Sequence, residues 1–527
     1  MQGAVQEYYI VHCKYMLCWL GGIFMSRILE ESYRAYEPRP FTADQRKDVT
    51  LLFGGVTWRA EKLLEGLFKS AGYNAQRLPD VTVEDLYLGR ELADVGQCCP
   101  TAFTTGNLSS FLRNEAEAIG ADEVAEKYVY VTAGACGACR FGQYHQSYEL
   151  ALKNLGLEAF RMFLVQQHEI DQSKCKDAGL QTDIHLLLST ALGMMAADAI
   201  QDLEYQLRPY ELEQGATNRA AQKAVSEIYD AMLSRPKQMP KWGSVLWHST
   251  TRRFLKAMRR ARDHFEDIQL DRLRVKPMVK ITGEFYLATA EGVQNYNMHK
   301  WLEGEGAEVQ PAPMVVWFDY LMRYGGQKLK LGFGIKDKAR QNYALLKLGQ
   351  RFFRFKYDQM RRMLGGVPRP MPDQDKLRKL AAPFFDNMIN GGEGDLLIAK
   401  AIWAHTQRKA HMICELSPYG CLPNTMSIGA MAAVQGRYPD MLYAPIEVKG
   451  DSDVHALSRC QMVLADAKIR AQEEFESALA AAGLTADEAR RRAKEHPKVN
   501  TPFWKVPHRG AVGTASNVVL ELGNATL

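Results

Sequence analysis

The stretch V-T-L-L-F-G-G at residues 49–55 decides the fold. A short β-prone apolar run ends in two glycines, and residues 58–71 then place Leu63, Leu64 and Leu67 on one helical face. Strand, tight loop and helix follow one another. Working outward, strands are predicted at 74–79, 128–134 and 159–165, with helices near 107–119 and 142–155 between them. Strands that alternate with helices predict a parallel sheet covered on both faces.

From about 180 to 272 the pattern turns helical. The basic run in T-T-R-R-F-L-K-A-M-R-R-A-R-D-H-F-E-D (250–267) reads as a solvated helix face, because acids are interleaved with it. A second α/β unit then opens at 278–287 and continues through a helix at 295–303 and strands at 307–314, 411–418 and 442–448. Residues 340–365 and 372–390 read as helical insertions, and 454–495 as a charged amphipathic helix. The expected divisions are an N-terminal extension (1–47), a first α/β domain (48–180), a helical segment (181–273), a second α/β domain (274–453) and a C-terminal helical region and tail (454–527). The two α/β units could be duplicates of one another.

Composition sets the limits. The 527 residues, 46% hydrophobic and 24% charged, describe a folded chain of about three domains. A formal charge of +5 is too small over this length for a nucleic-acid footprint. Residues 8–24 are mostly apolar, but no basic segment precedes them, and His12 and Lys14 interrupt a run already short for a bilayer. Residues 1–24 could be an upstream extension, with Met25 a possible start, the lesser alternative being a weak interfacial helix. A cytoplasmic protein with no membrane partner is expected.

Ten cysteines stand at 13, 18, 98, 99, 136, 139, 175, 414, 421 and 460. They are too few for a disulfide scaffold and too clustered for random core filler. In open α/β sheets the ligand site lies beyond the carboxyl ends of the strands. The segments G-Q-C-C-P-T (96–101), T-A-G-A-C-G-A-C-R-F-G-Q-Y (132–144) and P-Y-G-C-L-P-N-T-M-S (418–427) fall at such places and could converge between the two domains. Thiolates on small-residue turns at helix N-termini suit an iron-sulfur cluster; by spacing alone, half a zinc site or a redox dithiol remains open. Cys98 and Cys421 are candidate partners for Cys136 and Cys139. Cys99, Cys175, Cys414 and Cys460 read as core thiols, and Cys13 and Cys18 carry no assigned role.

Weaker polar candidates surround these segments. Glu284 and Glu291 flank the loop after the strand at 278–287, and Arg140, Tyr144 and His145 follow the cysteine motif. Glu447 and Lys449 are expected to pair or to face the cleft, and His299 and His455 to lie at the surface or cap a helix. Neither Gly54-Gly55 nor Gly391-Gly392-Glu393-Gly394 reads as a phosphate cradle, and no G-x-x-x-x-G-K-[ST] motif is present.

Taken together, F-G-G-V-T-W-R (53–59), G-R-E-L-A-D-V-G-Q-C-C-P-T (89–101), the 132–144 segment, G-E-F-Y-L-A-T-A-E-G (283–292) and G-C-L-P-N-T-M-S (420–427) resemble the 2-hydroxyacyl-CoA dehydratase superfamily, in its dehydratase-activase-related (CoA-substrate-specific enzyme activase) branch. The resemblance covers roughly residues 48–480. It implies two Rossmann-like or flavodoxin-like domains with an oxygen-sensitive 4Fe-4S or double-cubane cluster in the cleft, held by ligands among Cys98, Cys136, Cys139 and Cys421. It further implies an ATP-hydrolysing activator in trans, a possible homo- or heterodimer, and one-electron reduction or radical dehydration of an acyl-CoA-like substrate. A non-catalytic iron-sulfur electron carrier and an α/β binding protein with structural zinc are the competing readings.

Overall fold

In a computed structural model the chain divides into two compact units, Met1–Arg39 and Pro40–Leu527. The structure describes residues 40–134, 139–165, 178–181, 184–234, 252–389 and 392–524. All described elements belong to the second unit.

The opening stretch forms β1 (Thr50–Phe53) and α1 (Trp58–Ser70), and the Thr57 hydroxyl caps α1 at the Ala60 N–H. β2 (Asn74–Arg77) follows, then the antiparallel pair α2 (Val83–Leu92) and α3 (Cys99–Ile119), β3 (Tyr128–Ala133), α4 (Tyr144–Asn154) and β4 (Arg161–Val165). The four strands are parallel in the order β2-β1-β3-β4, with Leu51 opposite Ala75 on one side and Val129 on the other. Leu51, Phe53, Leu67, Phe68, Val129 and Phe163 form one core of this sheet.

A helical segment, α5 (Ile184–Leu207), α6 (Ala216–Leu233) and α7 (Arg253–Asp263), comes next. Among the described residues one stretch, Leu186–Tyr210, is long and apolar enough to cross a membrane, but 78% of its apolar window is buried inside the molecule. Its Ala196, Ile200 and Leu203 pack against Leu63 of α1 and Ile228 of α6.

The second sheet repeats the first. β5 (Met278–Gly283), α8 (Phe285–Thr289), β6 (Glu308–Gln310), α9 (Met314–Leu331), α10 (Ala339–Met363), α11 (Gly394–Thr406), β7 (Met412–Pro418), α12 (Leu422–Arg437) and β8 (Leu442–Val448) build a parallel sheet in the order β6-β5-β7-β8. Both orders match the first four positions of the flavodoxin-like arrangement, whose ligand site lies where the inner strands diverge. The long α13 (Asp453–Ala482) buries Cys460 and Leu464 against this sheet, and α14 (Thr514–Gly523) packs on α13 through Val518 and Leu522.

Three sequence expectations need correction. The strand predicted at 278–287 stops at Gly283, where φ is +124° and a Cβ would lie 2.1 Å from the Leu416 carbonyl oxygen. Glu284 then caps α8, so 285–289 are helical. The strand at 307–314 is cut to three residues because Pro311 and Pro313 cannot donate to a ladder. The helix placed near 107–119 begins at Cys99, eight residues early, which makes Cys98 its cap.

Candidate functional site

Cys98 follows a helix, not a strand, yet it reaches the carboxyl ends of the sheets because α2 and α3 pack backbone to backbone. A Cβ on Gly89 would lie 1.8 Å from the Ala102 carbonyl oxygen, and one on Gly106 would lie 1.6 Å from that of Asp85. Only glycine permits this approach. On the other face of the pair, Leu86, Cys99 and Phe103 share a core with Val279, Ile281, Leu416 and Ile446 of the second sheet. The turn that carries Cys98 is thereby fixed against the end of β7.

There it meets the turn that carries Cys421. The Cys99 N–H donates to the Tyr419 carbonyl at 3.2 Å, and a Cβ on Gly420 would sit 3.3 Å from the Gln97 carbonyl oxygen and 3.5 Å from the Cys98 Cα. Cys98 and Cys421 are both buried N-cap residues of long helices, each followed two positions later by proline, as Cys98-Cys99-Pro100 and Cys421-Leu422-Pro423. Neither side chain caps its own helix. The Cys98 thiol lies 3.0 Å from the Thr101 hydroxyl and 3.3 Å from that of Tyr144, while the Cys421 thiol donates to Asn424 Oδ1 at 3.5 Å. The Nδ2 of Asn424, buried beside this thiol, has no hydrogen-bond acceptor among the described residues. Cys139, half-buried after β3, precedes a short 3-10 turn and lies within electrostatic reach of both.

Two carboxylates share the space. Glu284 accepts from the Tyr286 and Leu287 N–H groups, both at 3.0 Å, and Glu393, at the start of α11, accepts from the Phe285 N–H at 3.1 Å. The loop before Glu393 lies against the other turn, since a Cβ on Gly392 would be 2.8 Å from Pro423. Burial, then the charge of Glu393, pushes Glu284 up to about 7. Burial also raises Glu393. Burial, reinforced by Glu393, Glu284 and Cys98, pushes Cys139 up to about 12 against a hydrogen bond from the Phe141 N–H, and Cys421 is raised by burial and by Glu284. Desolvation and the neighbouring acids thus favour the thiol form of Cys139 and Cys421, against the pull of the helix N-termini toward thiolate.

Of the other sequence candidates, the structure brings Tyr144 to Cys98, and Arg140 to the turn before it, where a Cβ on Gly96 would lie 4.0 Å from its guanidinium. His145 is buried on α4. Glu291 belongs to a different network: it accepts from Arg59 at 2.8 Å and from Gln201 and Tyr205, both at 2.9 Å. Glu447 and Lys449 pair with each other at 3.5 Å on the surface. His299 is not a surface or capping residue; it is buried edge-on to Tyr205, and desolvation lowers it to about 4. His455 is exposed. Gly55 and Val56 give their N–H groups to Glu61, so the first glycine loop is closed on its own helix. Cys99, Cys414 and Cys460 are buried core thiols, and Cys13, Cys18, Cys136 and Cys175 lie outside the described residues.

Glu393 was missed in the sequence, although the duplication points to it. It starts the helix that leads into β7, as Cys98 starts the helix that leads, through the short Ala121–Lys127 turn of helix, toward β3. Cys421 after β7 likewise answers the Cys136–Cys139 segment after β3. Among the described residues, no three His, Cys, Asp or Glu side chains stand close enough to hold a single metal ion. Compared with family models, curated proteins and solved structures, the chain matches none of them.

Proposed function

We propose that the chain is the iron-sulfur component of an ATP-driven low-potential reduction or radical dehydration system, acting in the cytoplasm on a CoA thioester or a similar small molecule. The observation that carries this reading is the meeting of Cys98, Cys139 and Cys421, from both sheets, at helix N-termini beside two acids. The raised thiols of Cys139 and Cys421 make poor nucleophiles. As ligands they become thiolates when metal binds, and the carboxylates of Glu284 and Glu393, the latter also near the Lys400 cation, stand beside them.

The donor set suits a cluster. Cys98, Cys139 and Cys421, with Cys136 from the same segment, are the candidate ligands, thiols of the kind that hold iron-sulfur clusters. Asn424 Nδ2 is placed to hydrogen-bond a ligated sulfur once its amide turns over, which would tune the potential. Such a cluster supplies a Lewis-acidic iron and one low-potential electron. The chain's own residues do the rest. Glu284, poised near neutral, holds a proton at its carboxyl group that a leaving hydroxyl needs in order to depart as water. Tyr144 holds the Cys98 sulfur in register, and the thiols lie buried away from bulk water. A proton donor beside the thiols favours a catalytic component over a pure electron carrier.

In this reading an ATP-hydrolysing activator supplies the electron, and these 527 residues carry no G-x-x-x-x-G-K-[ST] motif of their own. Anaerobic reconstitution with iron and sulfide, followed by acyl-CoA titration of the reduced protein under EPR, tests the reading. A substrate-dependent change in the signal supports it, and no change across a panel of thioesters assigns the protein to electron carriage.

A further inference from the structure

The hairpin of α9 and α10 carries an apolar surface that the proposed chemistry does not use. Leu345, Leu348, Phe352 and Phe355 recur at steps of three and four along α10 and so share one face, and all are exposed, Leu345 at 67% and Phe355 at 56%. Leu331 and Ile335, at the turn that joins the two helices, extend this surface with 66% and 79% exposure. Helix faces of soluble proteins normally turn such residues inward.

The surrounding charge is one-sided. Residues 328–356 contain nine Lys and Arg and one acid, Asp337, although the chain as a whole carries only +5. Lys330, Lys338, Arg340 and Arg351 form no ion pair among the described residues. A second copy of the chain would bring like charges together across the apolar stripe, and the stripe, Leu345 to Phe355, covers about one and a half heptads, too short for a stable coiled coil. The site lies elsewhere, since α9 starts beside Phe285 and runs 18 residues before reaching the hairpin turn.

We propose that the α9–α10 hairpin docks on an anionic lipid surface. Its leucine and phenylalanine face enters the headgroup boundary, and its lysines and arginines reach the phosphates at that level. The anionic cytoplasmic leaflet supplies the complementary charge. The chain would then be peripheral to a membrane, contrary to the expectation of no membrane partner drawn from the sequence.

Flotation of the full chain tests this with vesicles of phosphatidylcholine and phosphatidylglycerol in about equal parts and with phosphatidylcholine alone. The protein should float only with the anionic vesicles, and added salt should release it. Leu348→Asp with Phe355→Asp should lower partitioning by about tenfold or more, as should Lys330→Gln with Arg351→Gln, each with an unchanged melting temperature. The second pair keeps the test valid should the first perturb folding. Wild-type protein that stays with the soluble fraction, or variants that float equally well, would overturn the proposal. So would concentration-dependent self-association abolished by the apolar pair in a protein that ignores both vesicles, because the face would then belong to a second copy.

Discussion

Glu284 illustrates how one residue's surroundings set its chemistry. Burial and the charge of Glu393 push its carboxyl up to about 7, whereas an unfolded glutamate titrates at about 4.3. Between these values the folded state holds the extra proton, so this residue's contribution to stability is greatest below about pH 4 and is lost as the pH rises through 7. Glu284→Gln keeps the capping oxygen and should flatten that slope, as urea midpoints of the metal-free protein on either side of neutrality will show. In the loaded protein the same change should slow turnover by about 10²–10⁴-fold while iron content holds. Cys98→Ser and Cys421→Ser should each strip most of the iron. Cys460→Ala, in the core of α13, should cost about 1 kcal/mol and leave iron unchanged. Equal iron in all three cysteine variants would remove the ligand assignment. At this scale the sequence was informative about Cys98, Cys139, Cys421, Glu284 and Tyr144, because short motifs carried them. It was silent on Glu393 and Asn424, whose neighbours come from distant segments.

At the scale of elements, the α2–α3 contact places Cys98. Gly89→Ala or Gly106→Ala would force the helices apart and should cost about 3 kcal/mol or more, visible in thermal melts. Iron content should fall with it, since the turn at 96–98 would leave the end of β7. A melt unchanged from wild type would show that the helices can be spaced without harm. Most of the strands were legible because parallel strands buried on both faces read as short apolar runs; β2, N-A-Q-R, lies at a sheet edge with two residues exposed. Their ends were less so: Gly283 and the prolines at 311 and 313 stop β5 and β6 early through backbone effects that hydrophobic pattern does not reveal. The start of α3 was missed for a related reason. Its first turn, Cys-Pro-Thr, looks like a loop until Cys98 is recognised as the cap and Pro100 as a first-turn residue.

At the scale of the molecule, two flavodoxin-ordered sheets are joined by shared packing and by a buried ionic network. Arg59 of α1 pairs with Glu204 of α5 and with Glu291 beyond β5. Burial works to raise Glu291, but Arg59 and His299 hold it down at about 2, so its stabilising contribution is present above the unfolded value of about 4.3 and is lost as the pH falls toward 2. Arg59→Leu takes the cation from Glu291 and leaves Glu204 with Arg208 alone, and should cost about 3–5 kcal/mol in urea unfolding at neutral pH, with a smaller loss in acid. The duplication was suspected from the sequence, but the convergence of its loops needed the three-dimensional packing of α3 against the second sheet. The central claim is that this convergence holds a cluster. Anaerobic purification followed by iron, sulfide and zinc analysis with EPR of the reduced protein tests it most directly: iron and acid-labile sulfide in equal amounts with a reducible paramagnetic centre is the predicted result, and a colourless protein that holds zinc alone, with no reducible centre, would contradict it.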